Sequence, residues 1–221
     1  MFSFPTHPKM ATFTFRFPPV PPCDHTIDQE GDVLLSLKNT NAGFAIWDET
    51  TVPEETQGTP AAPKSVVFRV SSHHLKLASP VFKAALTGVW IESVVTKEGY
   101  RQVTTTDWDA EAFRIFLAVI HGRNYQVPHA VTLETLCKIA VVVDYYQCYE
   151  AFSFCSKIWV AELRDSIPVT YGRDLILWLC VSWVFQVEDK FEVVTKLAIE
   201  TSYERVRSLQ LPLPGRLIGA S

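Results

Sequence analysis

Val67-Phe68-Arg69-Val70-Ser71-Ser72-His73-His74-Leu75-Lys76-Leu77-Ala78-Ser79-Pro80-Val81-Phe82-Lys83-Ala84-Ala85-Leu86 is the stretch that decides how this chain is read. Val67 to Val70 is a short run of the β-branched and aromatic residues that suit a pleated strand. It passes through a polar turn to Ser79-Pro80, a side-chain cap followed by proline at the first helical position, where a missing N–H is tolerated. Val81, Phe82, Ala85 and Leu86 then share one helical face, and Gly88 stands just past the expected end. The segment predicts a strand, a turn and a capped amphipathic helix seated on a core.

Upstream, Gly31 to Leu37 and Ser65 to Val70 read as two strands. The connection between them, residues 38–64, is far longer than a hairpin loop of about 2 to 5 residues. Phe44-Ala45-Ile46-Trp47 is apolar enough to prolong the first strand, and Thr50 to Pro63 reads as a mobile insertion. Downstream, Tyr100 to Thr106 alternates weakly and suggests a third strand. Asp109 is placed to cap the next helix, in which Phe113, Phe116, Leu117 and Ile120 recur at the spacing of one buried face. Thr132 is placed to cap another, with Leu133, Leu136, Ala140 and Val143 as its stripe.

These residues resemble the signature of a BTB/POZ domain. The family's usual pattern is a Phe, a Leu seven residues on, a Ser eleven on and an aromatic three after that, and Phe68, Leu75, Ser79 and Phe82 stand at those positions. Asp32-Val33 resembles the opening of the family's first core strand, Asp107 to Phe113 its acidic turn, and Asp144, Tyr146 and Gln147 its Ala-x-x-x-Asp-x-Tyr-Gln pattern. Ser71 stands where the family commonly has His, and the 38–64 insertion departs from its compact form. The resemblance implies a mixed α/β (α+β) fold, a small sheet flanked by a helical cluster, that binds other proteins and performs no chemistry. The expected organisation is a Pro/Phe-rich arm over residues 1–29, the BTB/POZ domain over 30–156, a helical extension over 157–207 and a frayed, disordered tail over 208–221.

Within the arm, Thr12 to Phe17 alternates, with Phe13, Phe15 and Phe17 on one side. It reads either as part of a disordered tail or as a strand that adds to a sheet edge. Some BTB domains exchange such a strand within a dimer, so these three residues are the candidate dimer strand. The extension carries helical patterns over Lys157–Asp165, Asp174–Val187 and Asp189–Tyr203, the last with Phe191, Val194, Ala198 and Thr201 on one side and a Glu192–Lys196 pair on its flank.

With 221 residues, 48% of them hydrophobic, the chain can bury a sizeable core without staples. Lys and Arg number 20 against 24 Asp and Glu, and no like-charge run points to nucleic acid or an anionic membrane. Five cysteines, an odd number without a C-x-x-C pair, read as core residues of a reducing compartment, cytosolic or nuclear. Leu175 to Phe185 is the longest apolar stretch and falls short of the roughly 20 residues that cross a bilayer.

Adjacent His73 and His74 point in different directions and lack a His or Cys partner one turn away, so they predict a structural or surface role and no metal. Ser79 is explained as a cap, Asp107 and Asp109 as turn and cap residues, and no Walker or G-x-S-x-G motif occurs. No cofactor or small-molecule substrate is implied, and the expectation is a non-enzyme.

Trp90-Ile91-Glu92 follows the signature helix at the distance where BTB proteins that recruit a cullin ubiquitin-ligase scaffold carry a large apolar residue, any residue, then Glu. The resemblance implies a cullin contact there. The other reading is that Trp90 covers the domain's own core while Glu92 is solvated. The expected function is therefore an adaptor that forms homodimers, recruits a cullin, or both, with a self-associating scaffold or transcriptional co-regulator as the alternative. Residues 157–207 would either complete a cullin groove or block it.

Overall fold

Leu35 is the pivot of the sheet: it pairs with Phe68 on one side and Val103 on the other. The computed structural model describes residues 22–40, 42–47, 65–87, 95–96, 99–202 and 206–218. The expected strand at Thr12–Phe17, the Thr50–Pro63 insertion and Trp90-Ile91-Glu92 lie outside the described residues. Among the described residues, four strands form one mixed sheet in the order β1-β3-β2-β4: β1 His25–Thr26, β2 Val33–Lys38, β3 Val66–Val70 and β4 Arg101–Thr106. β2 is antiparallel to β3 and parallel to β4, while β1 lies parallel along the outer side of β3.

Helices α1 Ser72–Ala78 and α2 Pro80–Thr87 carry the chain from β3 past β2 to the far edge of the sheet. After β4 come α3 Ala110–Ile120, α4 Leu133–Tyr146, α5 Tyr149–Phe152, α6 Cys155–Glu162, α7 Arg173–Val184, α8 Glu188–Thr201 and the short α9 Gly215–Ile218. The architecture is mixed α+β, a small sheet with a thick helical layer.

The caps form as their residue types require. Phe82 N–H donates to Ser79 Oγ at 3.0 Å, Asp109 accepts from the N–H groups of Glu111 and Ala112, and Thr132 accepts from that of Thr135. Phe113, Phe116 and Leu117 are fully buried and Ile120 nearly so, as are Leu136, Ala140 and Val143 of the next stripe. Aromatic rings link the layers. Phe68 meets Phe113 edge-on at 5.7 Å, Phe82 stacks on Tyr146 at 4.2 Å, and Phe116 stacks on Phe152 at 5.6 Å. α7 is buried from Leu175 to Ser182 and packs between α4 and α8, so the helical extension shares the core of the sheet domain. Among the described residues, no helix is long and apolar enough to cross a membrane.

Four expectations are corrected. The polar turn after Val70 is a helix, α1, and its start is fixed by distant groups: Ser72 N–H donates to Asp32 Oδ1 at 2.7 Å and Ser71 N–H to His121 Nε2 at 3.0 Å. Phe44 to Trp47 does not prolong β2. The Arg173 guanidinium takes up the Phe44 and Ala45 carbonyls instead, at 3.2 and 2.9 Å. Residues 208–218 are not frayed, since Leu211 is buried and Leu209, Leu213 and Leu217 pack against the core. On α8 Lys196 pairs with Glu200, at 3.9 Å, rather than with Glu192. The last residues of the expected arm also carry structure, with Ile27 buried and β1 in the sheet.

Candidate protein-docking groove

Ser79 positions the site. Ser79 is completely buried, and its hydroxyl donates to the Tyr146 carbonyl at 2.7 Å while accepting the α2 cap bond. The end of α4 is thereby pinned beside α2. Tyr146 extends its own hydroxyl to Thr105 Oγ1 on β4 at 3.0 Å, and Trp108 Nε1–H donates to the same oxygen at 2.9 Å. Burial raises the Tyr146 phenol above its ordinary pKa, so it stays a neutral donor.

Between these anchors lies a groove of about 500 Å³. Val81 and Ala85 of α2 form one wall, β4 its floor, and Trp108 and Tyr145 the other wall. Trp108 and Tyr145 meet edge-on at 5.3 Å, and Tyr145 is 58% exposed, a large aromatic surface held in place on a rigid helix. Asp107 sits at the rim in a left-handed conformation, φ 67°. Its carboxylate accepts from the Thr106 hydroxyl and the Asn39 amide, which holds it below the usual carboxylate range. Among the described residues, β4 has no strand on its outer side beyond a single antiparallel bridge between Val95 and Arg101.

Trp90, Ile91 and Glu92 are outside the described residues. In the chain they fall between Thr87, the last residue of α2, and Val95, which bridges to Arg101 of β4. Phe13, Phe15 and Phe17 also lie outside the described residues.

The remaining candidates are placed by their contacts. His73 is exposed, and His74 stacks on His121 at 5.0 Å with its Nδ1 3.9 Å from Asp28. His121, the residue that closes α3, is 6% exposed. Its Nδ1–H donates to the Leu117 carbonyl at 2.8 Å and its Nε2 accepts from Ser71 N–H, so it enters the fold as the neutral ring. Burial lowers its pKa to about 4. No local signal marks this role, because Ser71 lies 50 residues away. Asp109 caps α3 and pairs with Lys138 at 2.9 Å, which spends both carboxylate oxygens on structure. Burial raises the Cys137 thiol well above its ordinary pKa and pushes Cys148 to about 12, so neither is a thiolate near neutrality. No group of three or more potential metal ligands occurs among the described residues.

No family model matches the chain, and no curated protein matches it.

Proposed function

We propose that this chain is a protein-docking module of the BTB/POZ type, a non-enzymatic adaptor of the cytosol or nucleus that engages a cullin ubiquitin-ligase scaffold. The observation that carries the reading is the groove between α2, β4 and the end of α4, with exposed Tyr145 on its wall. A rigid aromatic wall supplies the apolar contact that dominates such interfaces, and a carboxylate beside it orients the partner by hydrogen bonding. The buried positions of Phe68, Leu75, Ser79 and Phe82 support the family resemblance. Glu92→Lys is expected to abolish co-purification with the N-terminal region of a BTB-binding cullin while leaving the circular dichroism spectrum unchanged. Undiminished capture would remove the segment from the contact.

One observation favours a second reading, self-association as a scaffold or co-regulator. Beyond the Val95–Arg101 bridge, the outer side of β4 has no strand among the described residues, and the Phe13/Phe15/Phe17 alternation suits a strand added to such an edge by a second copy. Deleting residues 1–21 then shifts the mass in solution from dimer to monomer. An unchanged mass contradicts this reading.

A further inference from the structure

α8 buries Val194 and Ala198 against α7 and presents a second stripe to the outside. Phe191, Thr195 and Ile199 stand at i, i+4 and i+8, one ridge along the helix, with Ile199 68% exposed. The Thr195 hydroxyl is shut off from water on this ridge and has no hydrogen-bond partner. At its N-terminal end the ridge opens into a cleft of about 380 Å³ at the α7–α8 corner, lined by Tyr149, Trp183 and Phe191 with the carboxylates of Asp144 and Glu188. Trp183 and Phe191 lie 5.6 Å apart there, and Trp183 is 39% exposed.

A charged row runs beside the apolar one. Glu188, Glu192, Lys196 and Glu200 follow each other at four-residue steps, and the Lys196 ammonium is 3.9 Å from Glu200, which leaves the row net negative. α8 packs on α7 on one side, and no other described element has substantial contact with it. From Glu188 to Ile199 the face is about 17 Å long, three helical turns.

We propose that this face docks an amphipathic helix of a partner protein, one whose apolar stripe is flanked by Lys and Arg. The i, i+4 ridge of α8 interdigitates with the side chains of a second helix laid along it, and the apolar stripe of that helix covers Phe191, Thr195 and Ile199. Basic flanks meet Glu188, Glu192 and Glu200, and a cation at the corner cleft faces the rings of Trp183 and Tyr149 beside two carboxylates. A second copy of the same face would set two acidic rows against each other, which favours a basic partner over self-pairing. The surface is distinct from the α2–β4 groove and goes beyond the adaptor reading.

The test is a calorimetric titration of the full chain with a synthetic helix of about 18 residues, carrying Leu at i, i+3/i+4 and i+7 spacing and Lys elsewhere. Two control peptides accompany it, one with Glu in place of Lys and one of the same composition with the Leu positions scrambled. Saturable binding of the Lys helix is expected, weakened roughly tenfold or more by Ile199→Asp and by Glu188→Lys/Glu192→Lys, with both controls at least tenfold weaker. These substituted positions are exposed, and an unchanged circular dichroism spectrum verifies folding. No binding of the Lys helix, equal binding of either control, or full binding by the variants overturns the proposal. So does binding only after deletion of residues 1–21, which assigns the face to the chain's own arm. Concentration-dependent dimerisation abolished by Ile199→Asp assigns it to a second copy and also overturns it.

Discussion

Ser79 and Tyr146 are 67 residues apart and share a 2.7 Å hydrogen bond from the serine hydroxyl to the tyrosine carbonyl. That bond joins the start of α2 to the last turn of α4, whose Tyr146 carbonyl otherwise accepts only from the Cys148 thiol, at 3.5 Å. It also sets the width of the groove between them.

Ser79→Ala removes both this bond and the α2 cap, leaving the Phe82 N–H without its partner and the Tyr146 carbonyl with only the weak Cys148 thiol donor. A loss of about 2 kcal/mol is expected, which for a chain of this size lowers Tm by about 4–8 °C. Chemical denaturation of the two proteins checks it, with the midpoint shifted and the slope unchanged.

His121 makes stability depend on pH. Its folded pKa of about 4 lies below the ordinary 6.5, so the unfolded chain takes up the proton first. The contribution is complete above pH 6.5 and is lost as pH falls towards 4, by about 1.4 kcal/mol per unit and about 3 kcal/mol in all. Protonation also removes the Nε2 lone pair that accepts from Ser71 N–H. Urea unfolding at pH 7, 6, 5 and 4.5 is expected to show this slope, and His121→Gln to flatten it at a lower overall stability.

Gln147 ends α4 in the left-handed conformation, φ 55°, with its side chain exposed. The Cβ is disfavoured there, and glycine is the usual residue at such a position. Gln147→Gly is therefore expected to stabilise the chain, by about 0.5–1 kcal/mol, against the destabilisation that glycine brings almost everywhere else. Thermal melts of both proteins decide it.

Arg173 links three distant parts of the chain, with Nε on the Ala45 carbonyl at 2.9 Å and Nη2 on Glu134 Oε2 at 2.8 Å. Arg173→Ala is expected to cost about 2 kcal/mol and to raise hydrogen exchange across residues 42–47, while exchange in α3 follows only the global change. Unaltered exchange at Phe44 and Ala45 would contradict the tie.

Local chemistry made most of the fold legible. Ser79-Pro80, Asp109 and Thr132 announce helix starts because a cap acts within three residues, and the α3 and α4 stripes follow from periodicity. α1 was hidden for the opposite reason. Only Ser72 and Leu75 of it are buried, Leu77 is 78% exposed, and its first N–H groups are satisfied by Asp32 and His121. Phe44 to Trp47 looks like a strand because its residues are apolar, but its carbonyls are held by Arg173, some 128 residues away. The groove itself was not legible: Trp108 and Tyr145 form its wall only through the Ser79–Tyr146–Thr105 chain of hydrogen bonds, which joins residues 41 and 67 positions apart.

The most direct test of the docking account is a calorimetric titration of the full chain against the N-terminal region of a BTB-binding cullin, alongside Glu92→Lys and the exposed-site variant Tyr145→Asp. The account predicts micromolar binding or tighter, about −8 kcal/mol or better, lost with Glu92→Lys and weakened at least tenfold with Tyr145→Asp. Absence of binding by the unaltered chain, or equal affinity for all three proteins, would contradict it.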